Sequence, residues 1–136
     1  MAGLGLQAWR TTLPIETRGI RHVHLLVSDH PRSVAFYQGV FGMEVSFRDG
    51  AILFLRSPGG QDDLALHLAE TDEERGRVGH QGGMEHFGIT VSDRNRLDEA
   101  IDLAIRAGGQ LVNKGEHAPG VPFAYIRDPD GYVIEI

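Results

Sequence analysis

His22-Val23-His24-Leu25-Leu26-Val27-Ser28-Asp29 is echoed 64 residues later by His86-Phe87-Gly88-Ile89-Thr90-Val91-Ser92-Asp93, with four of eight positions identical. The repeat divides the chain into two similar halves. Each segment alternates as a strand does, is rich in β-branched or aromatic residues, and ends on an Asp suited to cap a helix. After Asp29 come Pro31 and then Val34, Tyr37, Val40 and Phe41 at helical spacing; after Asp93 come Leu97, Ala100, Ile101, Ala104 and Ile105, closed by Gly108-Gly109. Beyond each predicted helix the period falls to two, over residues 43–47, 51–55 and 64–69 in the first half and 110–113, 123–127 and 132–136 in the second. Asp49-Gly50, Pro58-Gly59-Gly60 and Asp130-Gly131 supply the turns.

The reading is therefore α+β: two tandem βαβββ modules, residues 19–70 and 84–136, behind an N-terminal arm at 1–18 and joined by a polar linker at 71–83. Asp72-Glu73-Glu74-Arg75 in that linker reads as solvated chain. Four short strands and one helix leave a sheet face wet, so the modules are expected to curl around a shared interior with a functional cleft between them.

A chain of 136 residues has the size of one domain, and with 41% hydrophobic residues it has the material for a core. The formal charge of −6, with scattered basic residues, argues against nucleic acid and anionic membranes as partners. No cysteine is present, which excludes disulfides, thiolate nucleophiles and Cys-based metal sites. No segment reads as a signal peptide or membrane span, and a cytoplasmic location is expected. Gly3-Leu4-Gly5-Leu6-Gln7-Ala8 fits a dinucleotide fingerprint by letters alone, but no strand precedes it.

Seven histidines in an acidic domain raise the question of metal ligands. Strand alternation puts His22, His24 and Leu26 on one face and His86, Gly88 and Thr90 on the equivalent face. Residues 62–67 superpose on 130–135 at an offset of 68, so His67 corresponds to Glu135. A pseudo-twofold relation would gather His22, His67, His86 and Glu135 at one point. Three imidazoles and a carboxylate suit Fe(II), Mn(II), Ni(II), Co(II) or Zn(II). His24 reads as a structural histidine near this set, and His30 and His80 receive no role.

These residues resemble the vicinal oxygen chelate superfamily, which includes glyoxalase I, fosfomycin and bleomycin resistance proteins and extradiol dioxygenases. The resemblance runs from Gly19 onward on His22, Ser33-Val34-Ala35-Phe36-Tyr37, Phe41-Gly42-Met43, His86, and Asp128-Pro129-Asp130-Gly131 before Glu135. It implies that the two modules form a half-open barrel around a divalent metal, with a small-molecule substrate bearing vicinal oxygens and a homodimer. Gly115-Glu116-His117, Tyr125 and Glu135 further resemble the C-terminal signature of extradiol ring-cleavage enzymes. By that likeness Fe(II) is the favoured metal, His117 the acid/base and Tyr125 the donor to substrate oxygen. The alternatives are a glyoxalase I-like lyase or isomerase using Ni, Zn or Mn, and a resistance-type binding protein without chemistry.

Overall fold

The computed structural model describes residues 14–136; the fingerprint-like stretch at 3–8 and most of the predicted arm lie outside the described residues. The elements are β1 (His22–Val27), α1 (His30–Phe41), β2 (Glu44–Asp49), β3 (Ile52–Arg56), β4 (Asp63–Leu68), α2 (Asp72–Arg77), β5 (Phe87–Gly88), a 3-10 turn at Arg94–Arg96 leading into α3 (Leu97–Arg106), β6 (Gln110–Ala118), β7 (Val121–Arg127) and β8 (Val133–Glu135). They form two four-stranded sheets with the orders β1-β4-β3-β2 and β5-β8-β7-β6. Each sheet has one parallel pair, β1 with β4 and β5 with β8, and is otherwise antiparallel. This is the expected pair of βαβββ modules.

Local chemistry explains the helices. Asp29 accepts the N–H of Arg32 at the start of α1, Pro31 sits in the first turn, and Gly42 ends the helix in the left-handed region at φ 67°. In α3 the buried residues Leu97, Ala100, Ile101 and Ala104 form one stripe. The buried face of α1 is Ser33, Phe36 and Tyr37, with Val34, Val40 and Phe41 packed at its margin. It is thus rotated from the stripe expected at Val34, Tyr37 and Val40.

Three segments depart from the sequence reading. Part of the linker is helical: Thr71 and Glu74 form a capping box that starts α2, although none of its residues is buried. Strand β6 continues to Ala118 instead of ending near residue 113, which places His117 on a strand. Conversely, β5 has only two paired residues.

One core serves both modules. Leu25, Val27, Phe36, Tyr37, Leu53 and Leu66 pack in the same cluster as Ala104, Ile126, Tyr132 and Ile134. Each large apolar side chain buried there contributes roughly 1.5–3 kcal/mol. The turn before β8 locks the halves: Tyr37 Oη donates to Asp128 at 2.7 Å and Tyr132 Oη to the Leu26 carbonyl at 2.6 Å. Asp130 accepts from Ser28 Oγ and pairs with Arg32.

Close packing at the end of α3 gives a sharp contrast between two glycines. A Cβ on Gly109 would lie 2.5 Å from the Arg127 carbonyl oxygen and 2.8 Å from the Phe36 ring, whereas one on Gly39, inside α1, meets nothing within 4 Å. Gly109→Ala is expected to destabilise by about 1–3 kcal/mol or more, and Gly39→Ala to stabilise by about 0.5–1 kcal/mol. Urea denaturation checks both; equal midpoints for the two variants would contradict the packing described.

Candidate functional site

The second module places three polar side chains around one carboxylate. Glu135 stands on β8, between β5 and β7, directly paired with Gly88 and Tyr125. Alternation then brings His86, two residues before Gly88, onto the same face. His86 Nε2 lies 3.0 Å from Glu135 Oε2, and Tyr125 Oη donates to that oxygen at 3.3 Å. His117 Nε2 lies 2.8 Å from the other oxygen, Oε1.

His117 reaches this point because of an irregularity. The β6–β7 register shifts between Glu116 and Ala118, so His117 is the extra residue of a bulge. Its ring stacks on Phe123 at 4.2 Å and 18°, and Phe123 in turn meets Tyr125 edge-on, as Tyr125 does His86. An aromatic stripe thus backs the carboxylate and fixes the rings that contact it.

The electrostatics follow from these contacts. The His117 hydrogen bond, followed by that of His86, holds the Glu135 carboxyl below its ordinary 4.5. Burial and the adjacent Glu135 carboxylate push the Tyr125 phenol up, so it stays protonated and able to donate at neutral pH. For Glu135 the lowered folded-state value means that its stabilising contribution is complete above the ordinary carboxylate range. That contribution is lost as pH falls through the lowered value. Stability curves measured between about pH 3 and 6 are expected to show an acid limb in the wild type that Glu135→Gln lacks. Parallel curves would contradict the assignment.

The four ligands expected from sequence do not come together in one chain. Among the described residues no group of three His, Asp or Glu side chains forms a ready metal cage. His22 is exposed at the start of β1, opposite Asp63. His67 lies opposite Leu26, and it is His24, two residues earlier, whose Nε2 meets His67 Nδ1 at 3.0 Å. By strand register, His24 stands to His67 as His86 stands to Glu135, two positions away from the sequence alignment. Burial, with His67 and His22 nearby, holds the His24 imidazole below its ordinary value and so favours the neutral ring. His67 Nε2 also faces Glu74 of α2 at 3.6 Å. His67 and His24 line one cavity, with His80, while Glu135 and His117 line another.

The donor pair of His86, just before β5, and Glu135, on β8, nevertheless fits a divalent ion. Ligands held at about 2.1 Å from such an ion lie about 3.0–3.4 Å from one another. The 3.0 Å between His86 Nε2 and Glu135 Oε2 meets that spacing. His86 Nδ1 is buried without a hydrogen-bond partner, an unpaired group of a kind found at functional positions.

Comparison with known proteins agrees with this architecture. The family model described as "Glyoxalase/Bleomycin resistance protein/Dioxygenase superfamily" matches residues 19–136. A lactoylglutathione lyase from Neisseria meningitidis is 32% identical over 124 residues, covering 84% of this chain and 86% of that protein. A probable lactoylglutathione lyase from Vibrio parahaemolyticus is 27% identical, covering 86% and 88%. A glyoxalase-related enzyme from Fulvimarina pelagi superposes with a TM-score of 0.69 at 26% identity, over 88% of this chain and 87% of that one. A fosfomycin resistance protein from Listeria monocytogenes, crystallised with Mn(II) and a dihydroxypropylphosphonic acid, shares the fold with a TM-score of 0.69 at 18% identity, over 88% and 89%. With the family model spanning both modules and the curated relatives aligned along most of the chain, this protein belongs to the glyoxalase/bleomycin resistance protein/dioxygenase superfamily.

Proposed function

We propose that the protein is a divalent-metal-dependent lyase or isomerase of the glyoxalase I type, acting on a small substrate with vicinal oxygens. The observation that carries this reading is the His86–Glu135 pair at ligand spacing. The curated relatives carry the lyase name, which favours this alternative over ring cleavage and favours Ni, Zn or Mn over Fe(II).

His86 and Glu135 hold the metal, and when bound it supplies Lewis-acid stabilisation of an oxyanion developing on the substrate. His67, and His22 if β1 shifts by two residues, are the further ligands from the first module; they are delivered by a second copy in a homodimer. This arrangement accounts for His67 and Glu135 lining separate cavities within one chain. His117 carries the proton between adjacent carbons, since its Nε2 is hydrogen-bonded to Glu135 and its side chain is about half exposed to an incoming substrate. Tyr125, kept protonated, donates a hydrogen bond that orients the substrate oxygen.

The test is formation of S-lactoylglutathione from methylglyoxal and glutathione, before and after chelation and with Ni, Zn or Mn restored. Metal-dependent turnover is expected in the wild type. His117→Ala is expected to retain the metal and lose turnover by about 100-fold or more. Turnover that survives complete chelation would refute the reading.

A further inference from the structure

The cavity beside Glu135 and His117 has a volume of about 370 Å³, at the small end for ligand sites. Its wall is mostly apolar, made by Ile89, Val91, Leu97, Phe123 and Ile136, and it contains a single cation, Arg94. Arg94 precedes α3 in the 3-10 turn, and its Nη1 donates to the Gly120 carbonyl at 2.9 Å, which fixes the guanidinium at the cavity. No carboxylate pairs with Arg94 among the described residues. The acids next to it in sequence are occupied elsewhere: Asp93 accepts from the Asn95 N–H, Asp98 pairs with Lys114, and Glu99 accepts from Arg96 through both oxygens. A chain with a net charge of −6 repels anions at long range, so an exposed cation with unspent N–H groups at the edge of an apolar cavity stands out.

We propose that Arg94 is the anion anchor of this cavity, so that the substrate carries a carboxylate on an apolar body, remote from the oxygens that meet the metal. The inference rests on the proposed function for the placement of those oxygens. A planar guanidinium with free N–H groups pairs with a carboxylate through charge-assisted hydrogen bonds. The apolar wall takes the body, and Glu135 with His117 marks the reacting end.

Two probes separate the parts. Homoprotocatechuate and para-ethylcatechol both present vicinal oxygens on an apolar ring, and only the first carries a carboxylate. Their dissociation constants are measured by calorimetry on the Zn- or Mn-loaded protein, for the wild type, Arg94→Gln, Arg94→Lys and Glu135→Gln, with melting curves to establish that each variant is folded. The wild type is expected to prefer the anionic probe by about tenfold or more. Arg94→Gln is expected to erase that preference while leaving para-ethylcatechol unchanged, and Arg94→Lys to retain part of it. An absent preference in the wild type, an unchanged one in Arg94→Gln, or binding of neither probe overturns the proposal. Affinity for both probes that survives the loss of metal in Glu135→Gln would instead refute the metal-dependent reading; the Arg94 comparison would still decide the anchor.

Discussion

Glu135→Gln is expected to lower metal affinity by at least about 100-fold and to abolish metal-dependent turnover. Replacing groups that only orient a metal ligand costs 10–100-fold, and removing a charged ligand costs more. The amide is nearly isosteric with the carboxylate, so β8 keeps its place between β5 and β7, and the two parts of the effect separate cleanly. Metal content by mass spectrometry is expected to fall while the variant stays cooperatively folded at neutral pH, losing only the modest stability that the partly buried Glu135 carboxylate contributes there. His86→Ala is expected to match it in metal loss. Full occupancy in either variant would remove the pair from the site.

Asp128→Ala carries the largest expected cost in stability. One oxygen of Asp128 accepts the backbone N–H groups of Asp130, Gly131 and Tyr132, each at 3.0 Å, and the other accepts from the buried Tyr37 hydroxyl. Truncation leaves three donors, the Asp130 and Tyr132 N–H groups and the Tyr37 hydroxyl, without their acceptor in the seam between the modules, while Gly131 N–H keeps the Asp128 carbonyl at 3.0 Å. The expected loss is about 3–5 kcal/mol, or roughly 10–20 °C in melting temperature. Asp128→Asn keeps an acceptor for the backbone groups and is expected to lose less, about 1–2 kcal/mol.

The pH dependence distinguishes these variants further. Burial raises the Asp128 carboxyl above its ordinary 3.8, against the opposing hydrogen bond from Tyr37. A raised folded-state value means that the stability linked to protonation is complete below the ordinary value and is lost as pH rises through the raised one. Asp128→Asn is expected to flatten that segment of the stability curve. Thermal denaturation from acid to neutral pH is the measurement, and identical curves would contradict the buried, ionisable clamp.

The repeat at His22 and His86 carried most of the architecture, because hydrophobic period and turn residues depend on local chemistry that a sequence displays. Both modules, both long helices and the placement of Glu135 on the last strand were legible in this way. Register was not. The partner that β1 presents to His67 depends on how two distant strands slide past each other, and a two-residue slip keeps the same face while exchanging His22 for His24. The bulge at His117 was equally invisible, since one extra residue in a ladder leaves no mark on composition. Glu74 reads by composition as part of a charged linker, although the Thr71-Asp72-Glu73-Glu74 spacing is the signature of the capping box that holds it. Arg94 stood without a motif. Only the cavity, together with the pairing of Asp93, Asp98 and Glu99 elsewhere, distinguishes it from its neighbour Arg96.

Bound metal in protein purified without a metal-chelating column, counted per chain alongside a turnover assay on the same sample, is the decisive measurement for the His86–Glu135 site. Near-stoichiometric Ni, Zn or Mn that is lost together with activity on chelation, and restored with it, is the result expected from the His86–Glu135 pair. A metal-free protein that takes up none of these ions on reconstitution would contradict the account.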